Sequence, residues 1–389
     1  MLLIKHATLY TMEDDAPPFQ GDILLKEGKI AAIGQDLSAE GAEVLDASGL
    51  VATPGLIDAH VHTGGFEAPV PDVNEMTDPI TADLDAIHAF DIHSPDFQEL
   101  HERGVTAACF VPGSGNVICG TGFVAKTAGA NTLSGLVVRH PAVMKCAMGG
   151  NPKGYGKRGR APMTRMGIAD LFRGALRRAR DYMEKKEAAG EDREKLPPYD
   201  AKCEALIPVL KGEIPLKVHS VRFDMLTVMA IAKEFNCRYT IEHGWACNLY
   251  VDELVEGGGS VCFGPIGIAE GYGEHAGGDV AYVKELDDRD LNVCLITDGP
   301  VAGPETLLIS AGEAVRCGVS HLRALRMVTI NAAKALDVDD RLGSLTPGKD
   351  ADIVLWSGVP ALETAAHVRY SIISGAVVYQ SDDAAPQAV

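Results

Sequence analysis

The sequence contains no run of about 18 apolar residues, the length a membrane-spanning helix needs, so a transmembrane protein is not expected. Its first residues, Met1-Leu2-Leu3-Ile4-Lys5-His6, are too short for the apolar region of a signal peptide and carry no cleavage pattern, which makes cytoplasm the expected location. Cys-x-x-Cys is absent as well. The nine cysteines (Cys109, Cys119, Cys146, Cys203, Cys237, Cys247, Cys262, Cys294 and Cys317) are scattered and odd in number. That argues for reduced thiols, against a disulfide frame and against a thiolate zinc site. Basic residues are few: 35 Lys and Arg face 54 Asp and Glu, for a formal charge of −19. Such a charge repels nucleic acid and anionic membranes, so neither is an expected partner; it says nothing more specific about substrate and leaves a homo-oligomer possible.

What is present is enough for one large domain and a small one: 389 residues, 46% of them hydrophobic. Residues 1–50 read as short strands, with Asp22-Ile23-Leu24-Leu25 and Lys29-Ile30-Ala31-Ala32-Ile33 flanking a Glu27-Gly28 turn. Strands of that size bury little alone and need a partner. Three more near the other end, at 351–356, 368–373 and 376–379, supply one, so a small β-sandwich built from both chain ends (1–50 and 345–389) is expected, followed by a frayed tail from Asp382.

Between the ends, apolar runs alternate with helical patterns, the signature of a parallel α/β sheet or barrel. Strands are expected at 51–60, 104–111, 143–148, 216–219, 239–243, 260–263 and 293–298. Residues 51–344 thus read as a (β/α)8 TIM-like barrel, whose active site lies at the C-terminal strand ends. The charged stretch from Ile168 to Leu196 reads as a solvated helix carrying i, i+4 ion pairs, with partner binding as the alternative.

The polar candidates fall at those strand ends. His60 and His62 are spaced i, i+2, which on a strand points both imidazoles the same way, and imidazole is a first-choice ligand for zinc. His219 and His243 end two later runs, and Asp298 ends the last. A carboxylate there can bind a metal and accept a proton from water.

Pro54-Gly55-Leu56-Ile57-Asp58-Ala59-His60-Val61-His62, together with Gly348-Lys349-Asp350-Ala351-Asp352-Ile353-Val354, resembles the amidohydrolase superfamily, and more narrowly its imidazolonepropionase-like and prolidase-like branch. The resemblance covers nearly the whole chain. It implies that His60 and His62 bind one metal with Asp298, and that His219 and His243 bind a second. It also implies that Lys145 is carboxylated by CO₂ into a bridging carbamate; a substrate-facing cation and a snorkelling surface lysine are the alternatives for Lys145. Zinc is favoured for these ligands, with iron and manganese also suited, at one or two ions per chain.

The implied reaction is hydrolysis of a C–N amide bond in a dipeptide-like, N-acyl amino acid or cyclic amide substrate, with Asp298 as general base. Deamination of a heterocyclic amine is the alternative on the same fold. Ring deaminases typically show His-x-x-Glu after the fifth strand, whereas this chain has His219-Ser220-Val221-Arg222. Arg222 cannot donate a proton at neutral pH but can grip a carboxylate, although a solvent-exposed helix start explains it equally well. A non-catalytic scaffold is a third reading, opposed by the intact set of ligands. The cationic loop from Asn151 to Arg160 lies over the expected barrel mouth, with Asn151 and Tyr155 as candidate substrate contacts; His275, in a Gly-rich loop, is a further candidate.

Overall fold

The computed structural model describes residues 1–66, 71–267 and 276–382. Its strands are β1 (Leu2–Leu9), β2 (Phe19–Lys26), β3 (Lys29–Gly34), β4 (Glu43–Asp46), β5 (Val51–Pro54), β6 (Leu56–Val61), β7 (Val105–Phe110) and β8 (Ile118–Lys126). They continue as β9 (Val137–Ala147), β10 (Leu216–Ser220), β11 (Tyr239–His243), β12 (Ser260–Phe263), β13 (Val293–Leu295), β14 (Ile353–Trp356), β15 (Val368–Ile373) and β16 (Ala376–Gln380). Two eight-stranded sheets result. Strands β6 to β13 lie side by side in chain order, and a parallel bridge from Val61 to Gly299 brings the last round to the first. The fold is mixed α/β, with a nearly closed barrel sheet. Helices Asp224–Phe235, Val251–Gly257 and Tyr282–Asp288 connect the strands from β10 to β13.

One barrel strand departs from the expected pattern. β8 runs antiparallel to both β7 and β9, so a meander stands where βα units were expected. Its glycines hide it in the sequence, because glycine weakens a strand signal unless another backbone approaches closely. Here one does: a Cβ on Gly122 would sit 2.8 Å from the Phe110 carbonyl oxygen, and one on Gly120 would sit 2.5 Å from that of Leu84.

The chain ends do meet. β5 lies between β1 and β14, antiparallel to the latter with Pro54 opposite Ile353. At the level of hydrogen bonding the expected sandwich is a single sheet, with its own core of Leu2, Ile4, Leu9, Ile23, Ile353 and Ile372 among others. The strand expected at 51–60 is therefore two, one in each sheet. Gly55 marks the change, and no side chain fits there, since its Cβ would lie 1.9 Å from Thr106 Oγ1.

The two sheets are tied by charge. Lys126, at the end of β8, places its Nζ 2.8 Å from Asp350 Oδ2 and 3.0 Å from Asp352 Oδ1, with all three side chains buried. Lys29 and Arg341 also pair with Asp350. Burial alone would raise the Asp350 carboxyl, but these cations hold it well below the usual carboxylate range. For Asp352 burial wins, and its pKa is raised.

The charged segment is a helix, Arg165–Ala189, but its ion pairs reach sideways. Arg173 and Arg177 meet Glu234, Lys186 meets Glu204, and Arg165 meets Asp224, so it is clamped to neighbouring helices instead of standing alone in solvent. Among the described residues no helix is long and apolar enough to cross a membrane. His275 and residues 383–389 lie outside the described residues.

Candidate active site

Strand alternation sends Asp58, His60 and His62 of the β6 segment to the barrel side. His60 is wholly buried, with Nδ1 2.7 Å from Glu242 Oε2 and Nε2 3.4 Å from Asp298 Oδ1. His62 places Nδ1 2.7 Å from the Val111 carbonyl oxygen and Nε2 3.1 Å from the same Asp298 oxygen. His243 places Nδ1 2.8 Å from the carbonyl oxygen of Gly264. A carbonyl can only accept, so Nδ1 of His62 and of His243 carries the proton and Nε2 carries a lone pair. Alternation would turn His243 away from Glu242, its neighbour in β11. A left-handed backbone (φ 68°) brings it back, and Asp298 (φ 56°) and Arg222 (φ 55°) share that conformation at their own strand ends. Such backbone strain in non-glycine residues concentrates at functional sites.

The donor set fits a cation. His60 Nε2 and Asp298 Oδ1 are buried without a hydrogen-bond partner, and His60, His243 and Asp298 offer ligand atoms that all lie within 4.8 Å of one another. Lone pairs gathered out of water and facing one another are costly unless a metal or proton lies among them. Burial depresses the basicity of His60 far below its ordinary range, helped by Lys145, His62 and His243, and burial also lowers His243. Both imidazoles are therefore held neutral. Burial would raise Asp298, but His62, His243 and Lys145 around it outweigh that and keep it ionised.

The His219 ring, half-buried at the end of β10, stands 4.3 Å from that of His243, centroid to centroid. The tightest trio thus takes one histidine from each of the two expected pairs, with Asp298 between them. Lys145 is wholly buried in β9, beside Lys217 of β10, and burial lowers its pKa. Its Nζ is 2.9 Å from Ser114 Oγ and 3.2 Å from the Pro112 carbonyl oxygen. A lysine in the barrel interior is not a snorkelling surface residue.

The expected substrate contacts separate. Tyr155 is wholly buried, its hydroxyl 2.7 Å from Asn116 Oδ1 and 2.8 Å from the Asp78 carbonyl oxygen. It anchors the loop to residues 78–116, and its hydroxyl is engaged there, not offered to a ligand. Asn151 is exposed at the start of the short helical turn Pro152–Arg158. Arg222 is half-buried, three residues beyond His219, and no described residue pairs with its guanidinium.

Three buried groups were missed by sequence reasoning. Asp58 accepts from Thr297 Oγ1 at 2.6 Å and from the His60 amide at 3.1 Å, joining the first and last barrel strands; burial pushes its pKa up to about 7. Lys217 and Glu242 form an ion pair at 2.8 Å with both side chains fully enclosed. The signal was available: Asp58 and Lys217 each stand two residues before a strand-end histidine, hence on the same strand face.

A barrel that collects imidazoles and a carboxylate at its C-terminal strand ends is the architecture of a metal-dependent hydrolase. The profile of the amidohydrolase family matches residues 212–388. A crystal structure of an amidohydrolase from Thermotoga maritima MSB8 is 35% identical, with a TM-score of 0.93 over 98% of this chain and 100% of that one. The amidohydrolase tasK of Hapsidospora irregularis is 30% identical in an alignment 385 residues long that covers 90% of this chain and 39% of that protein, so the chain spans about two fifths of that curated relative. An adenosine deaminase from Xanthomonas campestris, solved with bound zinc, shares the fold at 15% identity and a TM-score of 0.56, covering 97% of this chain and 92% of that one. The chain belongs to the amidohydrolase family.

Proposed function

We propose that this chain hydrolyses a C–N amide bond in a small substrate bearing a carboxylate: a dipeptide, an N-acyl amino acid or a cyclic amide such as an imidazolone. The observation that carries the proposal is the buried, unpartnered pair of His60 Nε2 and Asp298 Oδ1 with His243 beside them. His60, His62, His219, His243 and Asp298 hold one or two divalent ions, zinc being the best suited. When bound, such an ion polarises the amide carbonyl and acidifies a water. Asp298 takes the proton from the attacking water and returns it to the leaving nitrogen. Lys145, its basicity lowered by burial, reacts as the free amine with CO₂ and supplies oxygen ligands as a carbamate. The enzyme is taken to work in the cytoplasm, without nucleic-acid or membrane partners, with residues 1–50 and 345–389 as a supporting domain.

The test is metal content per chain after purification without chelator in bicarbonate, followed by assays on dipeptides, N-acyl amino acids, hydantoins and imidazolones. Two ions per chain are expected, falling to one or none in Lys145→Ala together with turnover. A Lys145→Ala variant with full metal and full turnover removes the carbamate from the proposal. Protein that takes up neither zinc nor manganese on reconstitution overturns the proposal as a whole.

Arg222 supplies the carboxylate grip. A charged hydrogen bond of this kind contributes about 1.5–3 kcal/mol, so Arg222→Met is expected to raise KM by roughly 10- to 100-fold with kcat little changed. Esterifying the substrate carboxylate should cost the wild-type enzyme a similar factor and the variant almost nothing. Equal KM values for the two enzymes would give Arg222 no part in binding.

A further inference from the structure

Of the three imidazoles nearest Asp298, His62 and His243 are held at Nδ1 by backbone carbonyls, of Val111 and Gly264. His60 alone among them is held by a side chain, that of Glu242. A carbonyl can do nothing but accept. A carboxyl group can also donate, and a Glu242 that donated to Nδ1 would leave the His60 proton on Nε2, aimed at the other ligands.

The surroundings of Glu242 remove that freedom. Its Oε2 lies 2.7 Å from His60 Nδ1 and 2.8 Å from Lys217 Nζ, and its Oε1 accepts from Thr240 Oγ1. The Lys217 ammonium shares Oε2 with His60 Nδ1 and pairs with Glu242 as a carboxylate, which has no proton to give and so accepts from His60 as well. Register delivers the cation: Lys217 lies opposite Thr240 and His219 opposite Glu242 in the parallel pairing of β10 with β11. Lys217 and Glu242 are both fully buried. An enclosed ion pair adds little stability over a well-packed apolar pair, so stability alone gives no reason for one in the barrel core.

We infer that Glu242, held by Lys217, is a positioning residue that fixes the proton of His60 on Nδ1 and turns the Nε2 lone pair toward Asp298 and His243. The inference rests on the metal-site reading above for its consequence, but the tautomer itself is observable without metal. Carboxylate partners of this kind, when mutated, typically cost 10–100-fold in metal affinity.

Two measurements test it. The first is zinc affinity by competition with a chromophoric chelator. Glu242→Gln is expected to bind about 10- to 100-fold more weakly than wild type, Lys217→Met to weaken in the same direction, and Thr240→Val, which loses only the Oε1 contact, to change little. The second is ¹⁵N NMR of metal-free wild-type protein labelled at histidine, with His60 assigned from the signal lost in His60→Asn. His60 is expected to be protonated at Nδ1, and this readout stands even where a variant fails to fold. Wild-type affinity in a folded Glu242→Gln, or a His60 protonated at Nε2, overturns the inference. Wild-type protein that binds no zinc yet keeps His60 protonated at Nδ1 sinks the metal reading and leaves the positioning role in place.

Discussion

Asp298→Asn is expected to lower kcat by at least ~10²-fold at matched metal content, because the amide keeps an oxygen for coordination but cannot take up a proton. The carboxylate is well prepared for that task. Its Oδ1 lies 3.1 Å from His62 Nε2 and 3.4 Å from His60 Nε2, and the contact with His62, with His243 and Lys145 close by, outweighs the burial that would otherwise raise its pKa. A depressed pKa keeps the base form populated across the neutral range. The acid limb of kcat/KM governed by this group should therefore fall below the ordinary carboxylate range, and the asparagine variant should lack it. Near-wild-type turnover in a fully metallated Asp298→Asn would move the base to another residue.

Lys126→Met is expected to carry the largest cost in stability, about 3 kcal/mol at pH 7, at the low end for removing one partner of a buried ion pair. Asp350 would keep Lys29 and Arg341, which moderates the loss. Asp352 would keep only the Ser374 amide at 2.8 Å and no cation. The pH dependence follows from the two carboxylates. Asp350, whose folded pKa is depressed, contributes stability that is present above about 3.9, the unfolded value, and is lost as pH falls through the folded one. The variant has less of this to lose. Asp352, already raised by burial, would rise further without Lys126, so acid would relieve the variant. Through Asp352 the deficit measured by urea unfolding should thus narrow between pH 7 and pH 4, and through Asp350 it should narrow further only below about 3.9. A constant deficit would mean that the methionine disturbs packing alone.

The parts of this architecture readable in the sequence share a physical basis. Apolar runs ending in His60, His219, His243 and Asp298 combine a strand period with a polar end, and the barrel brings strand ends together. The hairpin of β2 and β3 was legible for a local reason, since Glu27 and Gly28 both take the positive φ that its turn requires. What could not be read depends on lateral neighbours. β8 looks like a loop until the Phe110 and Leu84 carbonyls are set against its glycines. Lys217 looks like an interruption of an apolar run until register with β11 puts Glu242 within reach. Tyr155 looks like a substrate contact because its loop, rich in glycine and cations, follows a barrel strand, yet its hydroxyl is engaged by Asn116 and Asp78, far away in sequence. Nor did charge pattern along the helix Arg165–Ala189 disclose that its partners lie on other helices.

The placement of β5 between β1 and β14 also sets the order in which the molecule can be completed during synthesis. β1 to β5 leave the ribosome before the barrel does, and β1 can find β2, β4 and β5 at once. The other edge of β5 has to wait for β14, which is translated only after the entire barrel. Throughout that interval a strand with open hydrogen-bonding groups is displayed, the feature that most invites pairing with another chain. A ribosome stalled within the barrel would thus release a polypeptide whose β6 histidines are already made but whose terminal sheet still presents an open edge, a natural target for chaperones that hold exposed strands.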